Sequence, residues 1–302
     1  MINNFFDITD LSKSLLEDIV FDRVENSRLE NKNIGCLYEK PSTRTRISFT
    51  TGINQLGGRA IDFRFEELNF SRQESFEDTF RALGCYLDGL IYRTTSHSKL
   101  ISASKFMNKP IINALSEKSH PCQILADLIT LYEKFESLEL EISWFGDLNN
   151  VLFSLVEAVN LLNTIKLNIF SHSSLIENID WKLGSNIFLF DSINQDIIAR
   201  SNCIMTDVFL SMNDKDDEKK INLLKSFQVN NDVMKFTKDN CVFMHCLPAK
   251  VRVEVTKDVL ESQKSIVWRQ AYNRLPAQMR LMKCINWYYS YFYLAAKTLL
   301  VK

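Results

Sequence analysis

Residues 40–49 read KPSTRTRISF, which puts three small hydroxyls and two guanidiniums between Ser42 and Arg46. Both kinds of group donate hydrogen bonds to oxyanions, and a guanidinium can do so bidentately to phosphate. The stretch follows the apolar run NIGCLYE (33–39) and opens the amphipathic run RTRISFTTGINQL (44–56). Pro41 stops the first run, and Ser42 is a suitable N-cap for the second. The first turn of such a helix has unpaired N–H groups and a partial positive charge. Together these make a phosphate site. The plain alternative is a capped helix with solvent-exposed arginines.

Further stretches carry reactive or polar groups. HPCQ (His120 to Gln123) opens the helical pattern 120–135, where a lone His is most simply a cap or a packed residue. YRT (Tyr92 to Thr94) ends a strand-like run with Arg93, by itself an ordinary strand-end charge. CVFMHCL (241–247) carries Cys246, a residue type that in such a run is usually core. GDLNNV (146–151) reads as a strand-to-helix turn without the GxGxxG of dinucleotide folds. NDKDDEKK (213–220) reads as a solvated charge run.

The elements that must position these groups alternate. Strand-like runs at 33–39, 60–65, 89–94 and 110–115 are separated by helical patterns, ending with 120–135. After the charged ESLELE the rhythm restarts, with strands at 142–147, 166–171, 186–190, 202–209 and 241–247. This pattern predicts an α/β fold of two domains, each a mainly parallel sheet flanked by helices. The division is expected at 135/136, with a last apolar helix, 277–296, returning the segment 277–302 to the first domain. Ligands of such sheets bind beyond the carboxyl ends of strands, where every stretch above lies.

Bulk composition removes several classes of partner. Lys+Arg total 36 against Asp+Glu 37, so no net field attracts nucleic acid or a membrane surface. No apolar run approaches the roughly 18 residues of a spanning helix, and the N-terminal residues lack a secretory pattern. The seven cysteines are scattered, none in CxxC or zinc-ligand spacing, which predicts reduced thiols, a cytoplasmic location and no bound metal. Glycine is scarce, 8 of 302, and this bears on one motif below.

PSTRTRISF resembles the carbamoyl phosphate motif of the aspartate and ornithine carbamoyltransferases, and HPCQ resembles their second signature. The resemblance implies that Ser42, Thr43, Arg44, Thr45 and Arg93 hold phosphate, and Arg46 is expected on the phosphate with Arg44. It implies that Arg44 and His120 donate to the carbamoyl oxygen and that Gln123 binds the carbamoyl amide. The backbone at Cys246 and Leu247, with Arg274, would complete the pocket. MHCLPA (244–249), TDVFLSM (206–212), GDLNNV and QAYNRLPAQ (270–278) resemble the ornithine branch. By that likeness Asn150, Asp207, Ser211 and Met212 hold the amino-acid end of ornithine, and Asp207 and Cys246 surround its δ-amine. The same likeness implies a cis Leu247–Pro248 bond.

The resemblance spans about residues 35–285. The fold it implies has a carbamoyl phosphate domain (1–135 with 277–302), an ornithine domain (136–276) and an active site in the cleft between them. The implied reaction makes citrulline and phosphate with no cofactor; arginine biosynthesis is the expected setting, and arginine breakdown, which uses the same residues, stays open. The loop LNFSRQES (68–75) resembles one that reaches a neighbouring subunit's site through a residue aligned to Asn69, which implies a homotrimer or a multiple of trimers. Three positions depart from the pattern: Asn213 for Gly, Tyr272 for Glu, and Pro276 near the expected start of the last helix. Two other readings stay open. One is transfer to putrescine, acylated ornithine or aspartate; the other is an idle paralogue that only binds.

Overall fold

NIGCLY becomes the strand β1 (Asn33–Tyr38), buried along almost its whole length, as continuous apolar runs are when helices cover both faces of a parallel sheet. It pairs in parallel with β2 (Arg59–Arg64) on one side and β3 (Gly89–Arg93) on the other, and β4 (Ile111–Leu115) lies beyond β3. The edge strand β2 is only partly covered and has Arg59 and Arg64 at its ends, a charged edge that discourages further pairing. Parallel neighbours need crossovers, and helices supply them. These are α2 (Thr43–Gln55), α3 (Phe76–Tyr86) and α4 (His97–Met107), preceded by α1 (Lys13–Val20). The computed structural model describes residues 1–25, 28–69, 73–210 and 218–287.

The order β2-β1-β3-β4 means that the chain leaves β1 to one side and returns on the other. The switch point therefore lies between β1 and β3, at the ends carrying Ser42 and Arg93. This sheet belongs to a unit made of Met1–Cys122 and the residues from Arg274 onward.

Gln123–Asn273 form a second unit, whose sheet runs β7-β6-β5-β8-β9, again all parallel. Its strands are β5 (Glu141–Phe145), β6 (Lys166–Phe170), β7 (Ile187–Phe190), β8 (Cys203–Thr206) and β9 (Val242–His245). The helix α5 (Pro121–Phe135) enters this unit, followed by α6 (Asn150–Leu162), α7 (Ser173–Ile176), α8 (Gln195–Arg200), α9 (Glu218–Leu224), α10 (Asn231–Lys235) and α11 (Lys257–Leu260). Phe145, Phe170 and Phe209 are fully buried in its core, the first two stacked with centroids 4.8 Å apart. The switch point here lies between β5 and β8.

One expectation is corrected. The last described helix, α12, is Val267–Cys284 rather than 277–296, and residues 288–302 lie outside the described set. Pro276 therefore sits inside the helix, not at its start, and withholds the N–H that the Tyr272 carbonyl would accept. Past Pro276, α12 packs on α2 at Gly52, where a Cβ would come within 3.1 Å of Met279 and 3.2 Å of Met282. That close approach carries Arg274 to the start of α2. The seven cysteines are free; Cys85 is exposed, Cys246 half-buried and the others buried. Among the described residues no helix is long and apolar enough to cross a membrane.

Candidate active site

In the first unit Ser42 occupies the N-cap position of α2 with extended backbone, yet its hydroxyl does not cap the helix. Its Oγ instead accepts from Arg93 Nη1 at 2.8 Å, across the switch point from the end of β3. The capping position thus serves to aim a guanidinium. Thr45, buried in the first turn of the helix, accepts at Oγ1 from Arg274 Nη2 at 3.2 Å. Ser42 and Thr43 also border a cavity of about 680 Å³ whose other lining includes Arg46, Arg64, Glu66 and Glu67.

His120, buried just before α5, belongs to the same cluster. Burial and then the charges of Arg274, Arg93 and Arg44 hold its pKa well below the usual imidazole value. A neutral imidazole keeps one N–H to donate and adds no further positive charge to three guanidiniums. The loop before it is pinned from the N-terminal segment. Asp7 accepts from Lys118 Nζ at 2.7 Å and from Ser119 Oγ at 2.6 Å, and Asn113 Nδ2 donates to Ser119 Oγ at 3.0 Å. Burial opposes ionisation of Asp7, but His97, Lys118 and Ser119 outweigh it and hold the carboxyl well below its usual range.

Arg46 does not join this cluster: its Nε donates to Asp62 on β2. Residues two apart leave a helix in directions about 200° apart, and here Arg46 turns to the edge strand while Arg44 stays near His120.

The second unit gathers another set at its own switch point. Gly146, after β5, has φ +107°, and a Cβ there would lie 2.3 Å from the Phe209 ring, so GD can turn only with glycine. Asn149 then caps α6, its Oδ1 accepting from the N–H groups of Val151 and Leu152. Its Nδ2 donates to Asp207 Oδ2 at 3.0 Å, linking the loops after β5 and β8. Cys246 Sγ donates to Asp207 Oδ1 at 2.7 Å. Burial raises the Asp207 carboxyl above its usual pKa, with His245 and the Cys246 bond pulling the other way.

His245, at the end of β9, is fully enclosed. Its Nδ1 accepts from the Leu247 N–H at 2.9 Å, which leaves the ring proton on Nε2, 3.2 Å from Glu254 Oε1. The Leu247–Pro248 bond is cis, and Leu247 has φ +56°. Ligand atoms of Asp207, His245 and Cys246 lie within 4.8 Å of one another, a grouping that no sequence spacing reveals.

Residues 3–133 match the family described as aspartate/ornithine carbamoyltransferase, carbamoyl-P binding domain, and residues 138–285 match its Asp/Orn binding domain. The chain belongs to the aspartate/ornithine carbamoyltransferase family. A relative named ornithine carbamoyltransferase, from Rhodopseudomonas palustris (strain BisA53), is 39% identical over 260 residues, covering 84% of this chain and 83% of that one. Another of that name, from Nitrobacter winogradskyi, is 35% identical over 295 residues, with coverage of 92% and 96%. The solved structure of ornithine carbamoyltransferase from Pyrococcus furiosus is similar in fold, with TM-score 0.82, 30% identity and coverage of 94% and 96%. The protein is a carbamoyltransferase.

Within that family the sequence motifs fall as two groups. Ser42, Thr43, Arg44, Thr45, Arg93, His120 and Arg274 belong to the first unit, and Gln123, Asn150, Asp207, Cys246 and Leu247 to the second. Asn150 is the first residue of α6, but it is the neighbouring Asn149 that bonds Asp207. Asn69 precedes the undescribed residues 70–72, its carbonyl accepting from the Glu74 N–H at 3.4 Å. Ser211, Met212 and Asn213 lie outside the described residues. The sequence reading passed over Asn149, His245, Glu254, Asp127 and Gln270. N-cap preference in GDLNN is the one signal that could have singled out Asn149.

Proposed function

We propose that this carbamoyltransferase moves the carbamoyl group of carbamoyl phosphate to the δ-amine of L-ornithine, giving L-citrulline and phosphate. The observation that carries the reading is the neutral, buried His120 among Arg44, Arg93 and Arg274, beside a helix start whose Ser42 is turned to Arg93. Three cations with a neutral donor suit a dianionic phosphate joined to a carbonyl that becomes an oxyanion.

On this reading Ser42, Thr43, Arg44, Thr45 and Arg93 hold the phosphate, and Arg44 and His120 donate to the carbamoyl oxygen. Gln123, Arg274 and the backbone at Cys246 and Leu247 hold the rest of the carbamoyl group. Asn150, Asp207, Ser211 and Met212 take ornithine. The δ-amine arrives mostly as an ammonium at pH 7. Asp207, with its raised proton affinity, offers a base beside it. The neutral nitrogen attacks the carbamoyl carbon, a C–N bond forms, and the carbonyl π pair moves to oxygen. Collapse then breaks the C–O bond to phosphate, which leaves with the proton lost by the new amide nitrogen. Positioning and fixed charge do the catalytic work.

We also propose a homotrimer or a multiple of trimers, with Asn69 completing a neighbouring subunit's site, working in the cytoplasm in arginine biosynthesis. The relatives and the solved structure that bear the name ornithine carbamoyltransferase support ornithine as acceptor. The experiment is citrulline formation from carbamoyl phosphate, with ornithine, putrescine and aspartate offered separately. Product with ornithine is expected. Product only with aspartate, or none with any acceptor, refutes the reading. Light scattering on the same preparation tests the assembly, and a monomer would exclude it.

A further inference from the structure

Asp127 lies four residues beyond Gln123 on α5 and is 1% exposed. Its Oδ1 accepts from Gln123 Nε2 at 2.8 Å. The same oxygen accepts from Gln270 Nε2 of α12, also at 2.8 Å. Gln270 in turn accepts at Oε1 from the His245 N–H at 3.0 Å. A single buried carboxylate oxygen is thus shared by two carboxamides, and beyond the second stands the last residue of β9, next to Cys246.

A glutamine amide has two ends of nearly equal shape and opposite polarity. Asp127 Oδ1 accepts from both amides, so each presents its nitrogen there. Asp127 therefore decides which end of Gln123 points elsewhere: the oxygen. An amide nitrogen of a carbamoyl group donates, so it requires that oxygen. The same rule orients Gln270, whose oxygen is left to take the His245 backbone.

We propose, on the reading of Gln123 given above, that Asp127 is a positioning residue for the transfer. It fixes the amide polarity of Gln123 and, through Gln270, the backbone leading into Cys246. One turn further along the same two helices, Asn273 Nδ2 donates to Thr130 Oγ1 at 3.0 Å and to Glu133 Oε2 at 2.6 Å. That neighbouring network ties the same two helices through Thr130 and Glu133, and so serves as an internal control.

The test is steady-state kinetics of the whole enzyme with carbamoyl phosphate and ornithine, accompanied by thermal melts. An inactive wild type would remove the functional reading itself; an active one lets the variants test Asp127 alone. Asp127→Ala is expected to raise KM for carbamoyl phosphate about tenfold and to lower kcat by about tenfold to a hundredfold. Asp127→Asn keeps a carbonyl oxygen for both amides and should stay within about threefold of wild type. Asn273→Ala should lower Tm while leaving both KM values unchanged. Gln270→Met keeps the Gln123 bond and loses the His245 one, so it should lower kcat with KM for carbamoyl phosphate intact; it carries the test if Asp127→Ala does not fold. Wild-type kinetics from folded Asp127→Ala, equal impairment of Asp127→Asn and Asp127→Ala, or wild-type kcat from Gln270→Met would each overturn the proposal.

Discussion

In the first unit a hydrogen bond from Arg93 to Ser42 joins the carboxyl end of β3 to the loop after β1. In the second, a bond from Asn149 to Asp207 joins the loops after β5 and β8. Each bond crosses its own sheet's switch point, where the topology opens a crevice. The residues placed there differ in sign. One unit gathers Arg44, Arg93 and Arg274; the other gathers a carboxylate and a thiol. Yet burial acts on both in one way, disfavouring charge: it lowers His120 and raises Asp207. Topology supplies the place, and the side chains decide which ligand it receives.

The sharpest way to break this division is to remove a cation. Arg44→Ala should lower kcat/KM by about a thousandfold, since a fixed donor to phosphate and oxyanion disappears together. The fold should survive, because Arg44 is half-buried at a helix start rather than in the core. Steady-state kinetics and a thermal melt check both parts; near wild-type rates would undo the anion site.

The matching change in the other unit is Asp207→Asn. It should lower kcat about a hundredfold by removing the base beside the amine, with KM for carbamoyl phosphate unaltered. If KM for carbamoyl phosphate moves as far as it does in Arg44→Ala, the two units do not divide the substrates as proposed.

Titration offers a third comparison. His120 is held below its unfolded pKa of about 6.5, so its share of stability is complete above that pH. That share is lost as the pH falls from there toward the depressed folded value, at about 1.4 kcal/mol per pH unit. Asp207 is shifted the other way: its share is present below about 3.8 and lost as pH rises through its raised value. Urea unfolding between pH 7.5 and 5.5, at fixed protein concentration, should show His120→Gln losing less stability on acidification than wild type. Equal slopes would mean that the imidazole is not held neutral.

How much of this could be read beforehand depended on distance along the chain. The strands and their end loops were legible because apolar runs and turn residues are local signals. Ser42, Arg93, His120 and Cys246 were legible because each sits in a short motif at a strand end. Asp127 and Gln270 were not: 143 positions separate them, and nothing in either neighbourhood names the other. His245 stood in plain sight within MHCLPA, but only Glu254 and the Leu247 N–H, brought in by the fold, give its ring a role. α12 begins ten residues earlier than expected, at Val267, and carries Pro276 inside it, which the local sequence around Pro276 does not announce.

The smallest expected effect sharpens the comparison most narrowly. Arg44 and Arg46 are indistinguishable in composition, two arginines in one motif. The helix separates them by about 200°. Arg46 is exposed, and its guanidinium is taken by Asp62 at the sheet's edge. An exposed ion pair contributes little, so Arg46→Ala should leave kcat/KM and Tm close to wild type, with rates changed by no more than about threefold. Asp62→Asn should be equally mild, because it releases the same pair from its other end. A large loss of carbamoyl phosphate affinity in Arg46→Ala would mean that Arg46 leaves Asp62 when substrate binds. A matching gain in Asp62→Asn would then follow, since freeing the guanidinium would favour the ligand. Kinetics on these two variants therefore decide whether the cationic cluster is the three arginines around His120 or includes a fourth.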